Sequence, residues 1–188
     1  MNEPQKSGRT PIVWALLDDR AGNRSQCLGV AEALGYRFLV QDLEYVATAG
    51  LPNFFLGATF GGLTPSSRIN LVPPWPDLVI AAGRRTAPVA RKIKKDSGGM
   101  AKLVQIMYPG DAGAEDFDLI AAPRHDGLAP HDRTLDVRVG IVLVTVVPVL
   151  IVRLFRRELF QPHLKIMVQA VLVVVDKNTG GKMQGINK

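Results

Sequence analysis

Short apolar runs, each closed by a polar turn and separated by stretches of helical spacing, constrain this chain more than any other feature. Ile12 to Leu17 reads Ile-Val-Trp-Ala-Leu-Leu between Pro11 and Asp18-Asp19, the form of a parallel strand buried on both faces. Tyr36 to Val40, Asp77 to Ala82, Lys102 to Met107 and Phe117 to Ala122 repeat it. Between the first two, Asn23 and Gln26 have the spacing of a helix capping box. Cys27, Val30, Ala31 and Leu34 then recur at helical intervals, and Gly35 stops the helix. Thr86 is placed to cap a second helix with Pro88 in its early turn, running to Asp96 before Gly98-Gly99. Arg91 to Lys95, with the pair Lys94-Lys95, reads as its solvated face.

Strands alternating with helices imply an α/β fold, a Rossmann-like parallel sheet with flanking helices. Leu43 to Pro76 interrupts the pattern with Pro52, Gly57, Gly61-Gly62, Pro65 and Val72-Pro73-Pro74-Trp75-Pro76. It reads as a long excursion with one short helix over Phe54 to Phe60.

The charge and composition change together near residue 130. Residues 1–130 hold 14 Lys+Arg against 13 Asp+Glu, and residues 131–188 hold 9 against 4. The first part has 17 Ala and 8 Val, the second 1 Ala and 13 Val. The chain therefore divides into a flexible lead-in (1–11), a Rossmann-like lobe (12–130) and a hydrophobic, basic, valine-rich tail (131–188) with no assigned fold. Only Phe155 and Phe160 serve that tail as aromatics, so its charge lacks the stacking platforms of a nucleic-acid site, and no nucleic-acid partner is expected. Val139 to Val152 is 14 uncharged residues with Pro148 inside and arginines on either side. A spanning helix needs about 20 residues, so the run suits a membrane surface or a strand better than a span. Ile166 to Val175 reads as a strand or core helix.

Cys27 is the only cysteine. It excludes an internal disulfide and fits a reducing cytoplasm; its apolar spacing makes it a core residue. His125, His131 and His163 lack metal-ligand spacing, so neither a metal nor a cofactor is expected.

In open parallel sheets the ligand crevice lies at the carboxyl ends of the strands. Three polar turns stand there: Asp18-Asp19-Arg20-Ala21-Gly22-Asn23, Gly83-Arg84-Arg85-Thr86 and Pro123-Arg124-His125-Asp126. The first has one glycine where the dinucleotide fingerprint needs three, and no Gly-Lys-Ser/Thr phosphate loop follows. Asp42 stands where a ribose-binding acid would, or is a solvated strand-end carboxylate. Arg84 and Arg85 precede a helix start and could clamp an anion; equally, they could pair with Asp19 or Asp126. The expected ligand-binding set is Asp18, Asp19, Arg20, Gly22, Asn23, Gly83, Arg84, Arg85, Arg124, His125 and Asp126. No catalytic nucleophile or base is identified.

Four ordered blocks also carry a resemblance: Val13 to Gly35 with Asp18-Asp19-Arg20-Ala21-Gly22-Asn23, Pro76 to Ala90 with Gly83-Arg84-Arg85-Thr86, Leu103 to Met107, and Phe117 to Asp126. Together they resemble the mitochondrial fission family named for the plant elongated mitochondria (ELM-type) protein, which has bacterial members. The resemblance implies a two-lobed architecture similar to GT-B glycosyltransferases, with a nucleotide-sugar-like ligand between the lobes. This chain offers the N-terminal lobe, and its tail reads as a frameshifted or truncated end. The implied function is the ligand-binding lobe of a glycosyltransferase-like protein. A different class, a non-enzymatic membrane-associated or partner-recruiting protein, is implied by Val139 to Val152.

Overall fold

A computed structural model describes residues 9–123, the strand 134–137, and residues 147 and 151. The chain runs β1 (Val13–Leu17), α1 (Ala21–Ala33), β2 (Phe38–Asp42), a 3-10 turn (Ala47–Gly50), α2 (Asn53–Leu56) and α3 (Pro65–Arg68). It continues through β3 (Leu78–Ala82), a 3-10 turn (Arg84–Thr86), α4 (Ala87–Asp96), β4 (Lys102–Ile106), a 3-10 turn (Ala114–Asp116), β5 (Leu119–Pro123) and β6 (Thr134–Val137). The strands form one parallel sheet in the order β2-β1-β3-β4-β5-β6. It is the α/β Rossmann-like arrangement that the alternating runs imply.

Strand side chains alternate between faces, and here each face has its own cover. Val13, Ala15, Leu17, Leu78, Ile80, Val104 and Ile106 meet Cys27, Val30, Ala31 and Leu34 of the α1 region. Trp14, Leu16, Val79, Ala81, Leu103 and Ile120 meet Ala87, Val89, Ala90 and Ile93 of α4, with Leu43, Leu63 and Leu71 from the excursion. Covered faces on both sides explain why the strands are continuous apolar runs rather than alternating ones. Each fully buried Leu or Ile contributes roughly 1.5–3 kcal/mol. Cys27 is a core residue, as its spacing implies. Burial pushes its thiol up to about 12, and its sulfur faces the Ile80 carbonyl at 3.3 Å.

Several boundaries move for physical reasons. The second strand begins at Phe38 rather than Tyr36, because Gly35 adopts φ +71° and its turn is completed before the chain comes into register with Val13. The excursion holds two short helices where one is expected: α2 spans only Asn53–Leu56 and ends at Gly57, whose φ of +60° and ψ of −148° suit glycine, and α3 follows at Pro65–Arg68. The fourth strand ends at Ile106, since Met107 turns to φ +68°. The last expected run enters the sheet at Leu119, after the 3-10 turn Ala114–Asp116. Lys95 is solvated, but Lys94 and Arg91 are not free surface groups: they reach Asp118 at 2.9 Å and Asp116 at 2.6 Å.

Both expected helix caps are corrected. Helix α1 begins at Ala21 with Arg20 at its N-cap and no side-chain cap, because the Asn23 amide bonds the buried Asp18 instead. Thr86 does stand at the N-cap of α4, but without a side-chain cap bond; its hydroxyl donates back to the Ala82 and Gly83 carbonyls at 3.2 and 2.8 Å.

The sheet continues past residue 130, for β6 pairs with β5 from Ile120↔Thr134 to Pro123↔Val137. Val147 and Ile151, one helical turn apart in the Val139 to Val152 run, are fully buried in the core on the α1 face. At the other end Arg9 forms an ion pair with Asp77, whose carboxylate also accepts from Ile12 N at 2.8 Å.

Candidate functional site

From β1 the chain first crosses to β2 on one side, then returns to β3 on the other. The carboxyl ends of β1 and β3 therefore flank the topological switch point, where helices diverge and open α/β sheets bind ligands. The turn after β1 and the turn after β3 meet there.

Asp18 is the centre of that meeting and is 2% exposed. Its Oδ1 accepts from Arg20 N at 3.1 Å and its Oδ2 from Asn23 Nδ2 at 2.7 Å. The Arg85 guanidinium lies 3.8 Å from Oδ2. A buried carboxylate survives only with such donors and a countercharge.

Gly83 closes the crevice floor. Its φ of +86° and ψ of 160° suit glycine, and a Cβ there would stand 2.3 Å from Asn23 Nδ2. Its carbonyl accepts from Thr86 Oγ1 and from the buried Gln105 Nε2 at 2.9 Å. Gln105, on β4, was not among the expected residues; a polar residue inside an apolar strand run is the signal that marks it.

Arg85 is held on three sides. It pairs with Asp19 and approaches Asp18, and its guanidinium stacks over the Tyr45 ring at 4.5 Å from the centroid. The Arg85 guanidinium in turn holds the Asp19 carboxyl below the usual carboxylate range. Asp19 is 62% exposed against 19% for Arg85, so the acid lies on the solvent side of the pair and the guanidinium on the enclosed side. Tyr45 is a second residue that spacing did not mark, since it lies in the irregular excursion. Burial and the Asp18 charge push its hydroxyl well above the usual tyrosine range, and its buried Oη has no hydrogen-bond partner among the described residues.

Arg84 has a different job from its neighbour. Its guanidinium donates to the Leu51 carbonyl at 2.7 Å and to Asn53 Oδ1 at 3.2 Å, with Ala49 and Gly50 carbonyls beyond. Asn53 is itself buried and donates to Arg84 O at 3.1 Å and Pro109 O at 2.7 Å. The pair braces the excursion against the turns after β3 and β4.

Arg20, exposed at the mouth of the crevice, makes no side-chain bond among the described residues. A Cβ on Gly22 would meet nothing within 4 Å. Asp42 is ion-paired with Arg24 of α1. Thus the structure brings together Asp18, Asp19, Arg20, Asn23, Gly83 and Arg85, and turns Arg84 to a bracing role. Arg124, His125 and Asp126 lie outside the described residues. Among the described residues no three His, Cys, Asp or Glu side chains gather as metal ligands, and no helix is long and apolar enough to cross a membrane.

The arrangement offers both signs of charge at one crevice: the exposed Asp19 carboxylate to accept from hydroxyl groups, and Arg20 and Arg85 to donate to an anion.

No solved structure matches this chain. The chain is similar to the uncharacterized protein RP120 of Rickettsia prowazekii (strain Madrid E), with 38% identity over 117 residues. That stretch is 61% of this chain and 32% of the relative, so the match spans about a third of the relative's length. The model of the family described as Mitochondrial fission ELM1 matches residues 21–175, a stretch that includes Asn23, Gly83 and Arg85 and continues well beyond Pro130. On that match, the chain belongs to the Mitochondrial fission ELM1 family.

Proposed function

We propose that this chain is the first lobe of a glycosyltransferase-like, two-lobed protein and binds a nucleotide-sugar-like ligand at the β1/β3 crevice. The observation that carries the reading is the convergence of the Asp18–Asn23 and Gly83–Thr86 turns at the switch point. The exposed Asp19 carboxylate suits the hydroxyl groups of a sugar, and Arg20 and Arg85 suit a diphosphate. A ligand phosphate competes with Asp19 for Arg85. Arg20, exposed beside Asp19, supplies a second cation.

Calorimetric titration of the full chain with uridine diphosphate glucose tests this. Saturable binding is expected, weakened about tenfold or more in Arg85→Ala, the worth of one charge-assisted hydrogen bond. No binding by the native chain at millimolar ligand overturns the proposal.

The membrane-surface reading of Val139 to Val152 gains less support, because Val147 and Ile151 of that run are spent on the core. Full chain retained in membranes after a carbonate wash would restore it.

A further inference from the structure

Tyr45 touches the crevice arginine but offers a ligand no charge of its own. Its ring lies against the Arg85 guanidinium, with the centroid 4.5 Å from Cζ. Tyr45 follows β2 and Arg85 follows β3, and β1 runs between those two strands. The contact therefore reaches from the irregular excursion across the switch point.

The backbone that carries the ring is held on both sides. Tyr45 forms an antiparallel bridge with Leu63, a fully buried residue. Glu44 N donates to Ser67 Oγ at 2.8 Å, Thr64 N donates to Glu44 O at 2.9 Å, and Val46 N donates to Gly62 O at 3.0 Å. Burial and the Asp18 charge keep the Tyr45 hydroxyl protonated, so the cation meets a neutral ring face and not a phenolate.

Arg85 has need of such a wall. Its contacts with Asp18 and Asp19 both run through Nη2, and an anchor at one nitrogen fixes where the group sits without fixing its plane. The guanidinium N–H groups all lie in that plane, so its orientation decides whether two of them can meet one oxyanion together. A ring against one face sets the plane and leaves the edge to a ligand.

We infer that Tyr45 is a positioning residue of the anion clamp: its ring sets the plane of the Arg85 guanidinium, so that a ligand phosphate is met edge-on. This rests on the ligand reading above and adds the residue that orients its cation.

The test is calorimetric titration of the full chain with inorganic pyrophosphate and with uridine diphosphate glucose, in the native form, Tyr45→Leu and Tyr45→Phe. The proton–nitrogen NMR signal of Arg85 Nε is followed beside it without ligand. Tyr45→Leu should lose about threefold to tenfold in affinity for both probes, within the range of one cation–π contact. Tyr45→Phe keeps the ring and removes a buried hydroxyl that has no hydrogen-bond partner among the described residues, so it should restore native affinity. The ring current should hold the Arg85 Nε proton at higher field in the native chain and Tyr45→Phe than in Tyr45→Leu.

Native binding that Tyr45→Leu leaves unaltered overturns the positioning role and spares the crevice. Loss for uridine diphosphate glucose alone also overturns it, since the ring would then touch the ligand rather than orient the arginine. An Arg85 signal that Tyr45→Leu does not move has the same force. If circular dichroism shows Tyr45→Leu unfolded, Tyr45→Phe decides: native affinity with an unmoved Arg85 signal supports the role, and lost affinity assigns the effect to the hydroxyl and overturns it. No native binding of either probe overturns the ligand reading, and this role with it.

Discussion

The amide nitrogen of Asn23 occupies the space that a side chain on Gly83 would need. A Cβ on that glycine would lie 2.3 Å from Asn23 Nδ2 and 3.3 Å from Asp18 Oδ2. One contact therefore ties the turn after β1 to the turn after β3, and its removal from either side has a distinct signature.

Gly83→Ala should destabilise the chain by about 2–4 kcal/mol, combining a backbone conformation reserved for glycine with an overlap. Asn23→Ala should cost about 1–3 kcal/mol, because a buried carboxylate oxygen loses its donor. The double variant should cost less than the sum, since Ala at 23 clears the space that Ala at 83 enters. Urea unfolding of all four chains checks this, and strict additivity would contradict it.

Acid should act on the Asp19 and Arg85 pair in a definite direction. The Asp19 carboxyl is held below its ordinary value by Arg85. A carboxyl lowered on folding adds stability that is present above its unfolded value and lost as pH falls through its folded value. With Asp19 62% exposed, the effect is small, roughly 0.2–1 kcal/mol. Native chain should thus lose slightly more stability than Asp19→Asn between about pH 5 and pH 2. Identical acid profiles would show that the pair contributes nothing.

Cys27 should resist alkylation. Its thiol is buried and raised to about 12, so almost no thiolate exists at neutral pH. Iodoacetamide should leave the folded chain unmodified at pH 8 and label it fully in denaturant. Rapid labelling of the native chain would place Cys27 outside the core.

Loosening the excursion should not unfold the molecule. Arg84→Ala removes the bonds to the carbonyls of Ala49, Gly50 and Leu51 and to Asn53. Chymotrypsin should then cut after Phe54 or Phe55 several-fold faster, while the unfolding midpoint falls only modestly, because local opening is separable from global unfolding. Unchanged cleavage would mean that Asn53 alone suffices.

The apolar runs by themselves determined that strands would form, that both sheet faces would be covered, and that polar turns would gather at one edge. A run such as Val79-Ile80-Ala81 has no polar face to give water, and parallel pairing with helices on both sides is what buries it. The elongated-mitochondria resemblance was likewise legible, carried by contiguous turn and strand residues. Tertiary structure decided what each polar group does. Arg84 and Arg85 are adjacent and chemically identical, yet one grips carbonyls 33 or more positions earlier and the other an acid 66 positions away. Asn23 had the spacing of a cap and was drawn to a buried carboxylate. Tyr45 entered the site from a segment with no periodic signal, and Gln105 as the polar residue inside an apolar strand run. Periodicity reports which face of an element is apolar; which partner a polar side chain finds depends on where distant segments arrive once that apolar surface is buried.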